Sequence, residues 1–207
     1  IAASRLLVWR EQGVGDEILF ASCYPDLMSR AGHLVIECDR RLVTLFARSF
    51  PGATVRPPTA DPRDVDVQIA AGSLPRLLRP DLKRFPARPW LVPDPARLAL
   101  WRDRVAALGP GLKVGIAWRS QLVAGERVHA YTALDQWGPL FAVPGLTFVN
   151  VQYGDCTAEI AAAEARFGVR IHRWDDLDLK DDFEGAAALT ANLDLVITPA
   201  ISAGELA

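Results

Sequence analysis

The chain has 207 residues, half of them hydrophobic, and a formal net charge of −2 at neutral pH. This length and composition suffice to bury a substantial core in one domain or in two small ones. The near-neutral charge lacks the broad basic field that polyanions require, so we expect no nucleic-acid partner. No apolar run approaches the ~20 residues of a membrane helix, and the first residues lack a signal-peptide pattern, so no membrane-spanning segment is predicted.

The three cysteines, Cys23, Cys38 and Cys156, are odd in number and widely spaced. They form no CxxC pair, and the chain has no pair of histidines at zinc-binding spacing, so neither a disulfide framework nor a zinc site is supported. Buried, reduced thiols that act as small hydrophobic side chains explain them better. We therefore expect a cytoplasmic protein that needs neither a metal nor another cofactor.

Short apolar runs alternate with longer amphipathic ones, which predicts βα units around mainly parallel sheets. The first half contains four predicted strands and two predicted helices: strands at 5–9, 33–38, 54–56 and 65–70, and helices at 16–30 and 41–49. A connector is predicted at 78–95, because its prolines disfavour a helix interior or a central strand.

The second half repeats this pattern after a helix predicted at 96–108. Its elements are strands at 113–118, 147–151, 169–172 and 193–198, and helices at 132–141, 157–167 and 182–191. The chain is thus predicted to be an α/β protein of two Rossmann-like lobes, 1–95 and 96–207, with a cleft between them. A complete lobe of this kind needs more than the turn and helix start predicted at 199–205, so the C-terminal lobe is expected to be truncated.

The segment EQGVGDEI at 11–18 directly follows the first predicted strand and indicates a ligand site. Gly13 and Gly15 allow a tight turn and a close approach of the ligand to the backbone. The carboxylate of Asp16 would then stand at the start of a helix, beside free backbone N–H groups. The spacing differs from the dinucleotide fingerprint, because Ile18 and Leu19 stand where a third glycine is needed. Alternatively, Asp16 serves only to stabilise the start of the helix.

Four segments occur in one order along the chain: EQGVGDEILF at 11–20, KVGIAWRS at 113–120, FVNVQYGD at 148–155 and DDFEGAAALTANLDLVIT at 181–198. Together they resemble the catalytic region of bacterial heptosyltransferase-like glycosyltransferases, especially those found behind tetratricopeptide repeats. The resemblance covers nearly the whole chain and implies a GT-B architecture, with a nucleotide-diphosphate-sugar donor in the C-terminal lobe. It further implies a protein or cell-envelope glycan as acceptor, facing the N-terminal lobe, and any repeat region would lie upstream of Ile1.

The resemblance also implies roles for individual residues. Asp16 would be the general base that takes the proton of the acceptor hydroxyl, with Glu11 and Glu17 as lower-ranked substitutes. Gly13 and Gly15 are predicted donor contacts in the first lobe. In the second lobe, a predicted clamp for the diphosphate comprises Arg119, Ser120, Arg127 and His129. Further predicted donor contacts are Gln152, Asp182, Ser202, Gly204 and Glu205. Structural interpretations stay open as well: a solvated charge at Arg127, an imidazole cap at His129, a backbone-bonding amide at Gln152 and a helix cap at Asp182.

The chain departs from the family pattern near its end. Where the family usually has valine, aspartate, threonine and then histidine, this chain has Ala200 for the aspartate, Ile201 for the threonine and Glu205 for the histidine. A glutamate there would repel a diphosphate. This segment favours an alternative, a catalytically degenerate GT-B module that binds a partner or a nucleotide without turnover. A weaker alternative is a sugar epimerase of the same two-lobed shape, which would need more acids and histidines in the cleft than His33, His129 and His172 offer. Among the tryptophans, Trp118 is the candidate for a position in the cleft.

Overall fold

The computed structural model describes residues 4–85, 88–121 and 125–207, with the side chains of 126–128 left out. The chain divides into two compact units, Ile1–Pro93 and Asp94–Ala207. Each unit contains one four-stranded sheet, and all strand pairs in both sheets are parallel. The predicted α/β fold with two Rossmann-like lobes is therefore confirmed.

The first unit is built on a sheet with the strand order β3-β2-β1-β4. Its strands are β1 at Arg5–Trp9, β2 at His33–Glu37, β3 at Thr54–Arg56 and β4 at Val67–Ala70. The central strand β1 buries three consecutive apolar residues, because helices cover both faces of a parallel sheet. The apolar runs in the sequence therefore located these strands to within two residues.

The helices of the first unit are α1 at Val14–Ala21, α2 at Tyr24–Met28, α3 at Val43–Ser49 and α4 at Leu74–Leu78. A single helix over 16–30 was predicted, but α1 ends at Ala21 and α2 begins after a break. The reason is Pro25 in the first turn of α2, which has no N–H to continue the hydrogen bonding of α1. Across this break, Tyr24 packs edge to face against Phe46 and Phe50.

The predicted connector contains a short 3₁₀ turn at Leu82–Arg84 and then follows the surface of the first unit. Its last part is fastened there by two hydrogen bonds. The indole Nε1 of Trp90 donates to the carbonyl of Ile18 at 3.3 Å, and Arg48 Nη1 donates to the carbonyl of Val92 at 3.0 Å. Residues 86 and 87 of the connector lie outside the described residues.

The second unit is built on a sheet with the strand order β7-β6-β5-β8. Its strands are β5 at Leu112–Ile116, β6 at Leu146–Asn150, β7 at Ile171–His172 and β8 at Leu195–Ile197. Its helices are α5 at Pro95–Ala106, α6 at Gly138–Phe141, α7 at Thr157–Phe167, α8 at Phe183–Thr190 and α9 at Ser202–Leu206. The helix predicted at 132–141 is shorter: a 3₁₀ turn occupies Leu134–Trp137, and α6 begins at Gly138 because Pro139, in its first turn, has no N–H to continue an earlier helix.

Alternating side chains of this second sheet face two separate cores. Val114, Ile116 and Phe148 point to one face, while Ala117 and Val149 point to the other. Two hydrophobic layers on opposite faces are what a buried parallel sheet requires. On the second face, α5 packs beside α8, and Trp101 meets Trp174 edge to face with ring centroids 5.0 Å apart.

Gly111 is required where the chain enters β5. Its φ is +99°, and a Cβ placed there would lie 2.6 Å from the carbonyl oxygen of Gly145, which the Leu112 N–H already binds. We expect Gly111→Ala to lower the free energy of unfolding by about 2 kcal/mol, from backbone strain and steric overlap together. The control is Gly109→Ala, where φ is +85° but nothing lies within 4 Å, and which should cost about 1 kcal/mol. If urea unfolding showed the same loss of unfolding free energy for both variants, the steric contribution at Gly111 would be disproved.

Candidate functional site

The loop after β1 contains a strained backbone position. Gln12 has φ 61°, in the left-handed region that costs a residue with a side chain about 1 kcal/mol or more. Glu11 fastens this loop, because its Oε2 accepts a hydrogen bond from the Gly72 N–H at 2.8 Å. Gly13 has an ordinary extended conformation with φ −94°, and Gly15 lies inside α1. The tight turn that was predicted at the two glycines is therefore formed by Gln12.

Asp16 lies in the first turn of α1 and is half-buried. Its Oδ2 accepts a hydrogen bond from the Gly13 N–H at 3.0 Å, so the side chain does stabilise the start of the helix. Its other oxygen, Oδ1, makes no hydrogen bond to the residues that the structure describes. Capping thus occupies one carboxylate oxygen and leaves the second one for a ligand.

Glu17, the next residue, points to a different side of the helix and is almost fully buried, with 1% of its side chain exposed. Its Oε2 accepts the Asp39 N–H at 2.7 Å, and its Oε1 lies 2.7 Å from Arg10 Nη2. Burial raises the pKa of Glu17 to about 7, although the Asp39 amide and Arg10 act in the opposite direction. Because it is inaccessible, Glu17 is unsuited to take a proton from an acceptor.

Arg119 was predicted to clamp a diphosphate, but it is bound to an acid of its own unit. Its guanidinium forms a bidentate pair with Glu159, in which Nε lies 3.0 Å from Oε1, and Nη2 donates to the Asp155 carbonyl at 3.0 Å. The same carboxylate accepts the indole N–H of Trp118, which is fully buried and so does not line a cleft. Arg119 and Trp118 therefore support the end of β5, and the predicted contact of Arg119 with a donor stays a prediction.

Gln152 is also bound to the backbone around it. Its Oε1 accepts the N–H groups of Trp118 and Arg119, both at 3.0 Å, and its Nε2 donates to the Tyr153 carbonyl at 2.9 Å. Only 1% of the residue is exposed. The Gln152 amide thus bonds the local backbone, as one of the two interpretations from the sequence had it, and it joins the ends of β5 and β6.

Replacing Gln152 by leucine should therefore destabilise the second unit. One buried and one partly buried N–H group would lose their acceptor, and we expect the free energy of unfolding in urea to fall by about 2 kcal/mol. Gln136→Leu is the matched control, because the Gln136 amide accepts one N–H, from Ala133 at 2.9 Å, at an exposed position where water can replace it. A similar small loss, below about 1 kcal/mol, for both variants would contradict this role of Gln152.

The other predicted donor residues of the 119–129 segment differ in their surroundings. The Ser120 hydroxyl is buried and lies 3.0 Å from the Tyr153 hydroxyl. His129 is exposed in a 3₁₀ turn at Gly125–Ala130. The side chain of Arg127, in the same turn, lies outside the described residues.

The last predicted contacts lie around α8 and α9. Asp182 caps α8, accepting the Gly185 N–H at 3.0 Å, and it also pairs with Arg97 Nη1 at 2.7 Å. Asp182 therefore acts as a helix cap in the structure, which was one of the two interpretations from the sequence. Ser202, Gly204 and Glu205 all lie in the short helix α9. A Cβ at Gly204 would lie 2.7 Å from Thr198 Cγ2, so close packing already explains this glycine.

A cavity of about 270 Å³ lies at the carboxyl ends of β6 and β7. Aromatic, cationic and acidic side chains surround it, among them Tyr153, Asp155, Arg173, Trp174, Asp178 and Lys180. Ligands of open α/β sheets bind at this edge of the strands. Arg173 was not among the predicted site residues, and of the tryptophans only Trp118 was a candidate, although the position of Arg173 and Trp174 directly after a predicted strand was a signal that could have found them.

The described residues were compared with what a metal site and a membrane-spanning helix require. Within residues 4–85, 88–121 and 125–207, no group of three or more His, Cys, Asp or Glu side chains is placed to hold a metal ion. Among the helices of the same residues, none is both long and apolar enough to cross a membrane. Cys23, Cys38 and Cys156 are unpaired and buried, as predicted.

Comparison with known proteins yields one similar sequence and two similar structures. No family model matches the chain. The chain is 39% identical over 216 aligned positions to Protein FlbA of Caulobacter vibrioides (strain ATCC 19089 / CIP 103742 / CB 15). This match covers 95% of the chain but 36% of that protein, so the chain spans about a third of the relative's length.

The two structures are both named as transferases. The glycosyl transferase family 9 protein from Veillonella parvula DSM 2008 superposes with a TM-score of 0.63 at 13% identity, covering 100% of this chain and 78% of that one. The ADP-heptose lps heptosyltransferase II of E. coli superposes with a TM-score of 0.60 at 12% identity, covering 98% of this chain and 82% of that one. At sequence identities this low, the similarity shows that the folds are alike and nothing more. The chain therefore has the fold of heptosyltransferase-like structures, as the sequence resemblance implied.

Proposed function

We propose that this chain is the catalytic region of a glycosyltransferase, which moves a sugar from a nucleotide-diphosphate-sugar to a hydroxyl group of a protein or a cell-envelope glycan. The observation that carries the proposal is Asp16 within this fold. Its half-buried carboxylate follows the central strand of the first unit, and one of its oxygens has no hydrogen bond to the described residues. The similarity to glycosyltransferase structures supports the reaction class.

In the proposed reaction Asp16 is the general base. Its Oδ1 takes the proton of the acceptor hydroxyl while that oxygen forms a bond to C1 of the sugar. The bond from C1 to the diphosphate breaks, and the nucleoside diphosphate leaves with the electron pair. The hydrogen bond from the Gly13 N–H to Oδ2 holds the carboxylate in one orientation, which favours a productive geometry.

The second unit is the proposed donor-binding unit. The cavity beside Tyr153 and Trp174 has room for the nucleoside part, and its aromatic rings offer apolar surface. Arg173 lines the same cavity, and its Nη1 donates to Thr157 Oγ1 at 3.1 Å, so part of its guanidinium remains for a phosphate or a ribose. His129 and Arg127 are the proposed additional contacts of the diphosphate. Arg119, which is paired with Glu159, acts on the donor only by shaping the end of β5.

A degenerate binding module is the second candidate function. It is favoured by the pairing of Arg119 with Glu159 and by Glu205 at the position where the resemblance implies a histidine. Such a module would bind a partner or a nucleotide without turnover.

Calorimetric titration of the full-length protein with ADP-, UDP-, GDP- and dTDP-linked sugars separates the two candidates. The transferase proposal predicts micromolar binding of one donor and release of its nucleoside diphosphate. Arg173→Ala should weaken that binding about tenfold, the effect of one lost charge-assisted hydrogen bond. Arg166→Ala is the control, because Arg166 is an exposed arginine of the same unit that faces Asp135. No binding across the panel would instead favour the degenerate module.

A further inference from the structure

The segment at the end of α4 and directly after it exposes several large apolar side chains on the first unit. Leu77 is 63% exposed, Leu82 is 87% exposed and Phe85 is 41% exposed. Among the residues that the structure describes, no other large apolar side chain is as exposed as that of Leu82. Apolar side chains that are exposed together on one short segment indicate a contact with an apolar partner or phase.

Cationic side chains accompany these apolar ones. Arg76, Lys83, Arg84 and Arg88 are all exposed, and the side chains of these four form no hydrogen bond or ion pair with the residues that the structure describes. Asp81 is the one acid in the sequence from 76 to 88, and its carboxylate accepts the Lys83 N–H at 2.9 Å. The segment is therefore locally basic, although the whole chain has a net charge of −2.

The fold holds this segment in place. Arg79, the residue after α4, has only 6% of its side chain exposed; its Nη1 lies 2.6 Å from Asp26 Oδ2, and its Nη2 donates to the Ser22 carbonyl at 2.8 Å. The 3₁₀ turn at Leu82–Arg84 then begins with Asp81 as its cap. Because side chains three residues apart lie on the same side of a 3₁₀ turn, Leu82 and Phe85 share one side of it. Such a preformed surface loses little conformational entropy on binding.

We propose that the residues Leu82, Lys83, Arg84 and Phe85, here called the basic–apolar tip, attach the first unit to the surface of a membrane that contains anionic lipids. Leu82 and Phe85 enter the boundary between the head groups and the acyl chains. Lys83 and Arg84 bind the lipid phosphates, and Arg76 and Arg88 add to the attraction by the negatively charged surface.

The mixture of charges and apolar groups favours a lipid surface over a folded protein as the partner. The core of a protein interface is depleted of charged residues, whereas here two cations directly follow the most exposed leucine. At a lipid surface this neighbourhood is favourable, because long cationic side chains keep their charges at the head groups while an adjacent apolar side chain enters the acyl region. The attachment is independent of the proposed sugar transfer, since no residue of the tip belongs to the proposed catalytic or donor site.

Co-sedimentation of the full-length protein with lipid vesicles tests the attachment. The protein should bind vesicles of equal parts phosphatidylcholine and phosphatidylglycerol, bind them less in high salt, and bind pure phosphatidylcholine much more weakly. Lys83→Gln/Arg84→Gln should lower the partition coefficient about 25-fold, since each cation at an anionic surface contributes about fivefold. Leu82→Ser should lower it about tenfold, the effect of one apolar side chain that stays in water. All three residues are exposed, so these variants should fold normally.

Two matched controls belong to this experiment. Arg40→Gln/Arg63→Gln removes the same charge from exposed positions of the first unit outside the tip, and Leu100→Ser removes a leucine of α5 that is 49% exposed. Both controls should bind within about twofold of the wild type, because neither changes the tip. Equal binding to the two kinds of vesicle, or wild-type binding by the tip variants, would overturn the proposal. Binding to neither kind of vesicle would also overturn it, and would favour an acidic protein as the partner of the tip.

A fluorescent label distinguishes insertion of the tip from adsorption by charge alone. Cys23, Cys38 and Cys156 are buried, so an introduced surface cysteine can be labelled selectively with a polarity-sensitive dye. The label at Leu82→Cys should shift its emission to the blue on the mixed vesicles, and the label at Arg63→Cys should not. No shift at position 82 on vesicles that bind the protein would refute the insertion. These measurements need no turnover, so a protein that transfers sugar but does not bind vesicles would refute the attachment and leave the proposed function intact.

Discussion

Replacing Asp16 by asparagine is expected to lower the rate of sugar transfer by a factor of about 10³, the usual contribution of a positioned general base. Asparagine has the same shape, and its amide oxygen can still accept the Gly13 N–H that caps α1. It cannot take the proton of the acceptor hydroxyl. The affinity for the donor should stay within about twofold, because the proposed donor contacts belong to the second unit.

The rate is measured at saturating donor as the release of nucleoside diphosphate, which accompanies transfer of the sugar either to an acceptor or to water. Asp94→Asn is the matched control: Asp94 also caps a helix, accepting the Arg97 N–H at 2.9 Å, but it has no proposed role in proton transfer. Full turnover by the Asp16 variant would show that another group is the base. Glu11, whose carboxylate binds the Gly72 N–H in the same loop, would be the next residue to replace.

Replacing Glu17 by glutamine is expected to stabilise the protein, and only at higher pH. The pKa of Glu17 is raised in the folded state from 4.5 to about 7, so the folded protein holds a proton that the unfolded chain releases. The stability contributed by this group is therefore fully present below pH 4.5 and is lost as the pH rises to about 7. Glutamine has no charge to bury. At pH 8 the variant should gain at most about 3 kcal/mol, and at pH 4 the two proteins should agree.

Urea unfolding at several pH values measures this difference. Glu37→Gln is the matched control, because Glu37 is a second buried glutamate at the same sheet edge, bound by Arg56 Nε at 3.3 Å and by the Thr59 N–H at 3.1 Å. Removing that carboxylate breaks an ion pair, so this variant should be less stable than the wild type at pH 8. If both variants lost stability at pH 8, Glu17 would be a well-paired structural acid, and the interpretation of its burial would be wrong.

The sequence predicted the order and type of most secondary-structure elements. The strands at 5–9 and 54–56 and the helix at 157–167 have the predicted bounds, because apolar runs and periodicity are local properties of the chain. The breaks before α2 and α6 were missed, since the apolar pattern continues across them while a proline interrupts only the hydrogen bonding. The likeness to glycosyltransferase structures was likewise indicated by short local motifs in a fixed order.

The sequence by itself determined the α/β class, the two sheets of parallel strands and the place of a candidate carboxylate after the first strand. Only the tertiary structure decided which charged residues are left for a ligand. Arg119 is bound to Glu159, 40 residues away, and Glu17 is held by the amide of Asp39, 22 residues away. Such partners come together only when the chain folds, so no local sequence pattern predicts them. Burial then determines the energy of each charge, because a carboxylate removed from water depends on the few groups that the fold places around it.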